Sequence, residues 1–368
     1  MTSQLNCKRN AWLAAGFIAL FAVGRTEAAT IGTVTADGYT FTNFDFPNSG
    51  NAAAAGTNVN GIANNGDVVG FSLDNNGALT NYLQTPNGTI TALNLNSLTA
   101  MAFGVNSAGD VVGQLNDAAF FLPPGGSPQT LTPPAGATAF GINDQGNIVG
   151  QFSLGAANPG FYLAGSGAQS FVEINSPSGP DIVNAQGIND NGEIVGFYVG
   201  NDGLYHGFDA NIQNAGNGLL TGTAIADPTI PNIPGEPGAT FVFSQILGIN
   251  DNGIAVGYFG DSTASEHGFL YNTNTGIYTF LDDPAEQFGN GVEVTQITGI
   301  NNAGEITGFY SDGSAVFHGF VACPSGTNCS TTATTSATPE PASGMLLSLS
   351  LGIAVLGCWR RLKGGART

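Results

Sequence analysis

Apolar pairs flank polar, glycine-bearing turns at intervals along the chain, and the same unit returns again and again. Its clearest copy, Gly187 to Tyr198, reads Gly-Ile-Asn-Asp-Asn-Gly-Glu-Ile-Val-Gly-Phe-Tyr. Copies start at Gly61, Gly104, Gly141, Gly187, Gly248 and Gly299, each with a second Gly five residues on and a third four beyond that. The spacing runs from 37 residues (Gly104 to Gly141) to 61 (Gly187 to Gly248). The pattern predicts a β-hairpin: Ile and Val flank the turn, Asn or Asp bonds the backbone ahead of it, and Gly supplies the positive φ. Ala108, Gln145 and Ala303 precede the turn Gly in three copies, which favours a longer turn with a Gly bulge over a two-residue turn. The third Gly, inside the outgoing strand, predicts a bulge or close backbone approach.

Two more strand signals follow each hairpin. The first is a Gly-Phe-type segment: Tyr82-Leu83, Phe120-Phe121, Gly160 to Tyr162, His206 to Phe208, His267 to Phe269 and His318 to Phe320. The second alternates Thr or Ser with apolar residues: Thr89 to Leu95, Gln129 to Thr132, Gln169 to Ile174, Leu219 to Ile225 and Tyr278 to Leu281. A fixed-period repeat of about four strands is the signature of a propeller blade. The sixth copy runs into a pair of cysteines without a fourth strand. A spare strand of the same type, Tyr39 to Asp45, stands at the start and is followed by Pro47, as Asp283 is followed by Pro284. The expected fold is therefore all-β: a six-bladed β-propeller of four-stranded blades, closed by the N-terminal strand so that no edge is left open. A linear β-solenoid is the rival, but its coils are usually shorter than these repeats.

Charge is distributed unevenly. All 7 Lys and Arg residues lie at the ends, at positions 8, 9, 25, 360, 361, 363 and 367, whereas the 26 Asp and Glu residues lie between Arg25 and Arg360. A body without Lys or Arg cannot grip phosphates, which excludes nucleic acid as a partner and removes the usual means of handling nucleotides. Salt bridges are expected to play no part in stability, which is left to burial and backbone hydrogen bonds. Charged residues make up only 9% of the chain, so Asn, Thr, Ser and Gly are left to cover the surface.

The ends carry their own signals. Lys8 and Arg9 precede an apolar run, Ala11 to Val23, that is short for a membrane span and fits the core of a secretory signal, with cleavage expected near Ala28. At the other end Pro339-Glu340-Pro341 is followed by an apolar run, Met345 to Trp359, and then by Arg360, Arg361, Lys363 and Arg367. The basic tail would stay on the cytoplasmic side. Motif, apolar helix and basic cluster resemble the PEP-CTERM sorting signal of Gram-negative bacteria. That resemblance implies a transmembrane sorting helix, an exosortase-type processing enzyme as partner, transient inner-membrane anchoring and delivery to the cell surface or extracellular matrix of a biofilm. It makes Pro339, Glu340, Pro341, Arg360 and Arg361 the sorting residues. The repeat, from Tyr39 to Val321, resembles the bacterial extracellular family known for its His-Ala-Phe (HAF) motif, which reads His-Gly-Phe in three copies here. That family brings no established chemistry.

The domain boundaries follow: 1–28 signal peptide, 29–324 repeat propeller, 325–338 Ser/Thr-rich linker and 339–368 sorting signal. Cys323 and Cys329, with five residues between them, read as a small-loop disulfide in an exported protein. A metal pair is the alternative, but no nearby His or Cys completes it. His206, His267 and His318 hold the same place in consecutive repeats and read as structural. The Asn-Asp-Asn-Gly turns lack the alternating carboxylates of a calcium loop. Asp282 and Asp283, adjacent in sequence, would point to opposite faces of a strand. No cofactor, metal or catalytic residue is expected. The chain reads as a non-enzymatic surface or exopolysaccharide-associated structural and interaction protein. The alternative is a carbohydrate-binding, lectin-like propeller, motivated by 24 Phe, 9 Tyr and many Asn and Asp. Lectin-type repetition would leave one exposed aromatic per blade.

Overall fold

A computed structural model describes residues 26–329, apart from 28, 96–98, 132–135, 155–156, 166–170, 179–181, 230–237, 286–292 and 328. The expected signal core and the segment carrying the sorting motif, membrane helix and basic tail lie outside the described residues. Among those described, no helix is long and apolar enough to cross a membrane.

The described chain is all-β. Three N-terminal strands, β1 (Thr26–Glu27), β2 (Ala29–Ala36) and β3 (Tyr39–Asp45), precede the repeats. Unit one comprises β4 (Gly56–Ile62), β5 (Val68–Leu73), β6 (Leu79–Gln84) and β7 (Thr89–Ala92). Unit two comprises β8 (Met101–Val105), β9 (Val111–Leu115), β10 (Ala118–Leu122) and β11 (Gln129–Thr130). Unit three comprises β12 (Thr138–Ile142), β13 (Ile148–Gln151), β14 (Gly160–Leu163) and β15 (Phe171–Asn175). Unit four has β16 (Val183–Ile188), β17 (Glu193–Val199) and β18 (Tyr205–Asn211), followed by β19 (Leu219–Thr221) and β20 (Thr223–Ala224). Unit five comprises β21 (Phe241–Ile249), β22 (Ile254–Asp261), β23 (Glu266–Asn272) and β24 (Ile277–Phe280), and unit six β25 (Thr295–Ile300), β26 (Ile306–Ser311) and β27 (Phe317–Pro324). Within each unit, successive strands pair antiparallel.

Several pairings are not sequential, including β1 on β7 and a single parallel bridge between β27 and β4. The N-terminal strand β3 lies antiparallel on β27, from Gly319↔Phe44 to Pro324↔Tyr39, in the place of a fourth strand. The predicted strand Leu219 to Ile225 is corrected: it divides at Gly222. Its first half, β19, runs parallel to β15 of unit three, and only β20 joins unit four. The ring of Phe208 lies where a side chain at position 222 would sit, so the chain steps between two sheets at a glycine.

The hairpin turns are of the longer type. Gly66 donates to Ala63 O while Ala63 donates to Asp67 O, and Gly66 takes φ 86°. The other five copies repeat this, with turn-glycine φ between 70° and 79°, or 80° at Gly192. The inner strand of every unit carries a register shift two residues before the turn, for example between Ala185 and Gly187. On the facing strand, a side chain at the third Gly of the repeat would collide with an inner-strand carbonyl oxygen.

Packing follows from the apolar pair after each turn. Successive side chains of a strand point to opposite faces. Ile194 therefore joins the core shared with unit three, and its neighbour Val195 the core shared with unit five. Val68 and Val69 divide in the same way, Val69 toward unit two and Val68 toward unit six. Each apolar cluster is thus shared by two consecutive units, and one is shared by the sixth and the first. In unit six Thr307 takes the place of this second Val and buries its hydroxyl without a hydrogen-bond partner among the described residues.

Candidate functional site

The inner strands of the six units surround a narrow central cavity of about 90 Å³. The residues at the strand irregularities, among them Phe103, Phe140, Gln186 and Leu247, line it at one end. Phe103 and Phe140 meet edge to face with ring centroids 5.2 Å apart. At the other end stand the turns, whose polar side chains bond from unit to unit.

Two series of such bonds run through the turns. In the first, the amide of each leading Asn donates to the next unit: Asn106 to Asn143 O (3.2 Å), Asn143 to Asn189 O (3.0 Å), Asn189 to Asn250 O (3.0 Å), Asn250 to Asn301 O (3.1 Å) and Asn301 to Ala63 O (3.3 Å). Each of these amides also holds its own turn, as when Asn189 Oδ1 accepts from Asn191 N and Glu193 N. Ala63 has no amide, and Asn65 Nδ2 reaches Ser107 O instead, at 3.1 Å. In the second series a backbone N–H donates to the next unit's side-chain oxygen. The pairs are Ser107 to Asp144 (2.7 Å), Asp144 to Asp190 (3.0 Å), Asp190 to Asp251 (2.8 Å), Asp251 to Asn302 (2.8 Å) and Asn302 to Asn64 (2.8 Å). This gathers three carboxylates at the turn end. Burial, and then the charge of Asp251, push the Asp190 carboxyl above its usual range. The second turn residue is Asn, Ser or Asp in every copy, an acceptor every time. That regularity was the available signal for this lacing, which turn chemistry alone does not require.

The three histidines lie away from the cavity, each between two carboxylates. His206 Nδ1 is 2.8 Å from Asp227 and its Nε2 3.0 Å from Asp202. His318 Nδ1 is 3.1 Å from Asp45, on the N-terminal strand, and its Nε2 3.5 Å from Asp312. His267 stands 3.0 Å from Asp282 and 3.9 Å from Asp261. At His206 and His318 a carboxylate faces both ring nitrogens, so both nitrogens can donate, which favours the imidazolium. Burial opposes the charge of His206 and His318, but the bonds to their Asp partners prevail and raise both above the ordinary histidine range. The expectation that ion pairs play no part in stability is therefore corrected: histidine replaces the missing Lys and Arg.

Asp282 and Asp283 do part. Asp282 accepts from Gly268 N and meets His267, whereas Asp283 is fully buried. Asp283 accepts from Ala285 N, at 2.8 Å, and from Asn43 of the N-terminal strand, at 3.3 Å. Burial pushes its carboxyl up to about 6, with smaller contributions from its neighbours. The signs agree across these groups. Raised folded values at His206, His318 and Asp283 give stability that is fully present below their unfolded values and is lost as pH rises through the folded ones. Asp202, held low first by its bond to His206, and Asp312, held low by hydrogen bonds that outweigh its burial, lose their contribution as pH falls. Stability should therefore peak in mildly acidic solution and decline as pH rises, first through the Asp283 value of about 6 and then through the raised histidine values. Asp283→Asn should flatten the lower part of that decline and raise stability at pH 8 by at most about 3 kcal/mol. Urea unfolding of both proteins across pH checks this, and an unchanged slope would discard the assignment.

A second, larger hollow of about 530 Å³ opens between units five and six. Its walls are Tyr39, turn residues of both units and one face of β22 to β24. Cys323, fully buried on β27, is disulfide-bonded to Cys329, with Cα atoms 5.5 Å apart. Pro339, Glu340, Pro341, Arg360 and Arg361 lie outside the described residues. Among those described, no group of three or more His, Cys, Asp or Glu is disposed to hold a metal. The aromatics fill the interfaces between units, and Tyr205 is the large aromatic left exposed among the described residues.

No protein-family profile matches the chain, and neither does any curated protein. Among solved structures it is similar to TolB from Acinetobacter baumannii, with TM-score 0.44 and 11% identity over 66% of this chain and 59% of that one. The chain thus spans about three fifths of TolB. It is also similar to the β-propeller domain of the Trilobed protease from Pyrococcus furiosus, with TM-score 0.42 and 8% identity over 80% and 95% of the two chains. A third likeness is to an Aleuria aurantia lectin in complex with a fucosylated sugar, with TM-score 0.40 and 12% identity over 74% and 97%. At this distance the three carry no activity to this chain, and its architecture rests on its own β-sheets.

Proposed function

We propose that the chain is an exported β-propeller of six four-stranded blades, closed by its N-terminal strand, that serves outside the cell as a structural and interaction module. The observation that carries the reading is the double series of lacing bonds, which passes through all six turns and returns from Asn301 to Ala63 and from Asn302 to Asn64. The polar side chains of the repeat are committed to holding units together, and the histidines to carboxylates. Such a scaffold offers rigid grooves for binding, and no catalysis is assigned to it.

Export is the second part of the proposal. An exosortase-type enzyme would cut at Pro339-Glu340-Pro341 while the apolar run anchors the chain and Arg360 and Arg361 hold the tail in the cytoplasm. Replacing the three motif residues by Ala should leave the chain in the inner-membrane fraction with its tail intact and deplete the surface fraction. Unchanged surface delivery would reject the sorting role.

A second reading, carbohydrate binding, is favoured by the hollow between units five and six. It does not draw on one exposed aromatic per blade, since most aromatics are in the interfaces.

A further inference from the structure

We infer that the groove between the fifth and sixth units is a binding site for a neutral oligosaccharide; the inference rests on the carbohydrate-binding reading. The sheet face formed by β22, β23 and β24 explains why a groove exists there. Ile254, Asn272 and Ile277 form one cross-strand row, and Val256, Leu270 and Thr279 form the next. Val256 is covered by the core shared with unit six, but cover ends at the turn side, where Ile277 is 62% exposed. The opposite wall is the half-buried Tyr39 at the start of the closing strand, with the turn at Asn302.

Asn250 and Asn302 are committed to the lacing, but other uncharged polar groups in the groove are left over by the fold. Asn272 spends its Oδ1 on the N–H groups of Asn274 and Thr275, which leaves its Nδ2 pair free. Asn252 spends Nδ2 on Asn302 O, which leaves its Oδ1. Among the described residues the hydroxyls of Thr275, Thr279 and Tyr39 have no hydrogen-bond partner. Amide donors, an amide acceptor and hydroxyls thus lie beside Ile254, Ile277 and an aromatic ring. A pyranose presents the matching surface, with hydroxyls at its rim and C–H groups on its face.

Charge narrows the ligand further. Among the described residues no Asp or Glu lines this groove, in a body that is rich in carboxylates and has no Lys or Arg. An acidic polysaccharide would be repelled by the surrounding field and would find no cation to pair with. The ligand is therefore a chain of neutral hexoses and not a uronate polymer.

Calorimetry of the exported protein with neutral tetrasaccharides derived from dextran and from galactan, and with oligogalacturonate, tests this. Saturable binding of a neutral tetrasaccharide, none of oligogalacturonate, and a loss of about tenfold or more in affinity for both Ile277→Ala and Asn272→Asp are expected. Ile277 is largely exposed, and Asn272→Asp keeps the turn-holding oxygen, so both variants should fold, which thermal unfolding verifies. Neutral-sugar binding that neither variant weakens would overturn the groove while leaving carbohydrate binding in place. Absence of binding to either neutral sugar would overturn the inference and the carbohydrate reading together. Preference for oligogalacturonate would overturn the charge argument on which the choice of ligand rests.

Discussion

Gly196→Ala should destabilise the protein by about 3 to 5 kcal/mol, seen as a large drop in the urea midpoint or a loss of soluble protein. A Cβ at position 196 would overlap the carbonyl oxygen of Asn184 and lie 2.8 Å from the Phe208 ring. Neither can retreat. Asn184 sits on the inner strand just before its irregularity, and Phe208 is fully buried against the neighbouring unit. The same squeeze recurs at Gly70, Gly113, Gly150, Gly257 and Gly308, which face the carbonyls of Asn58, Met101, Thr138, Gln245 and Gln296. The comparison that isolates the cause is Gly146→Ala. Gly146 has φ 78° and open space around it, so Ala there meets only the left-handed backbone cost of about 1 to 2 kcal/mol. Equal losses at the two positions would refute the steric account of the third glycine.

Phe41→Ala should cost about 3 to 5 kcal/mol, although Phe41 lies outside all six repeats. Its side chain is fully buried, and its ring packs edge to face on Phe320, with centroids 5.2 Å apart. It belongs to the cluster that joins units five and six. Removing it opens a cavity and loosens the strand that pairs along β27, whose unpaired edge would then template aggregation. Phe161→Ala, in a unit built from one continuous stretch of chain, is the reference. A calorimetric Tm drop of similar size for both, with more light scattering for Phe41→Ala, is the expected result. A Phe41 loss below about 1 kcal/mol would make the N-terminal strand an accessory.

Much of this architecture is local, and local features are legible. Asn at the head of a turn and Gly at its end define the hairpin through bonds spanning two to four residues, so the six hairpins and their long turn type could be read directly. The match in type between Tyr39 to Asp45 and the strand missing after Phe320 anticipated the pairing of β3 with β27. Where the strand reading failed, at Leu219 to Ile225, the reason was not local. The apolar alternation continues unbroken, but the Phe208 ring occupies the space beside Gly222 and divides the strand between two sheets.

By itself, the sequence determined the period, the turns, the strand faces and the absence of Lys and Arg from the body. All of these depend on residue type and near neighbours. The tertiary structure alone decided the partners. His318 meets Asp45 across 273 residues, Asn301 bonds Ala63 across 238, and Asp283 reaches Asn43 across 240. No periodicity encodes such separations. They arise because the sixth unit pairs with the N-terminal strand and packs on the first unit. That juxtaposition makes the His318–Asp45 ion pair, and the closing strand's Tyr39 completes the wall of the groove between units five and six.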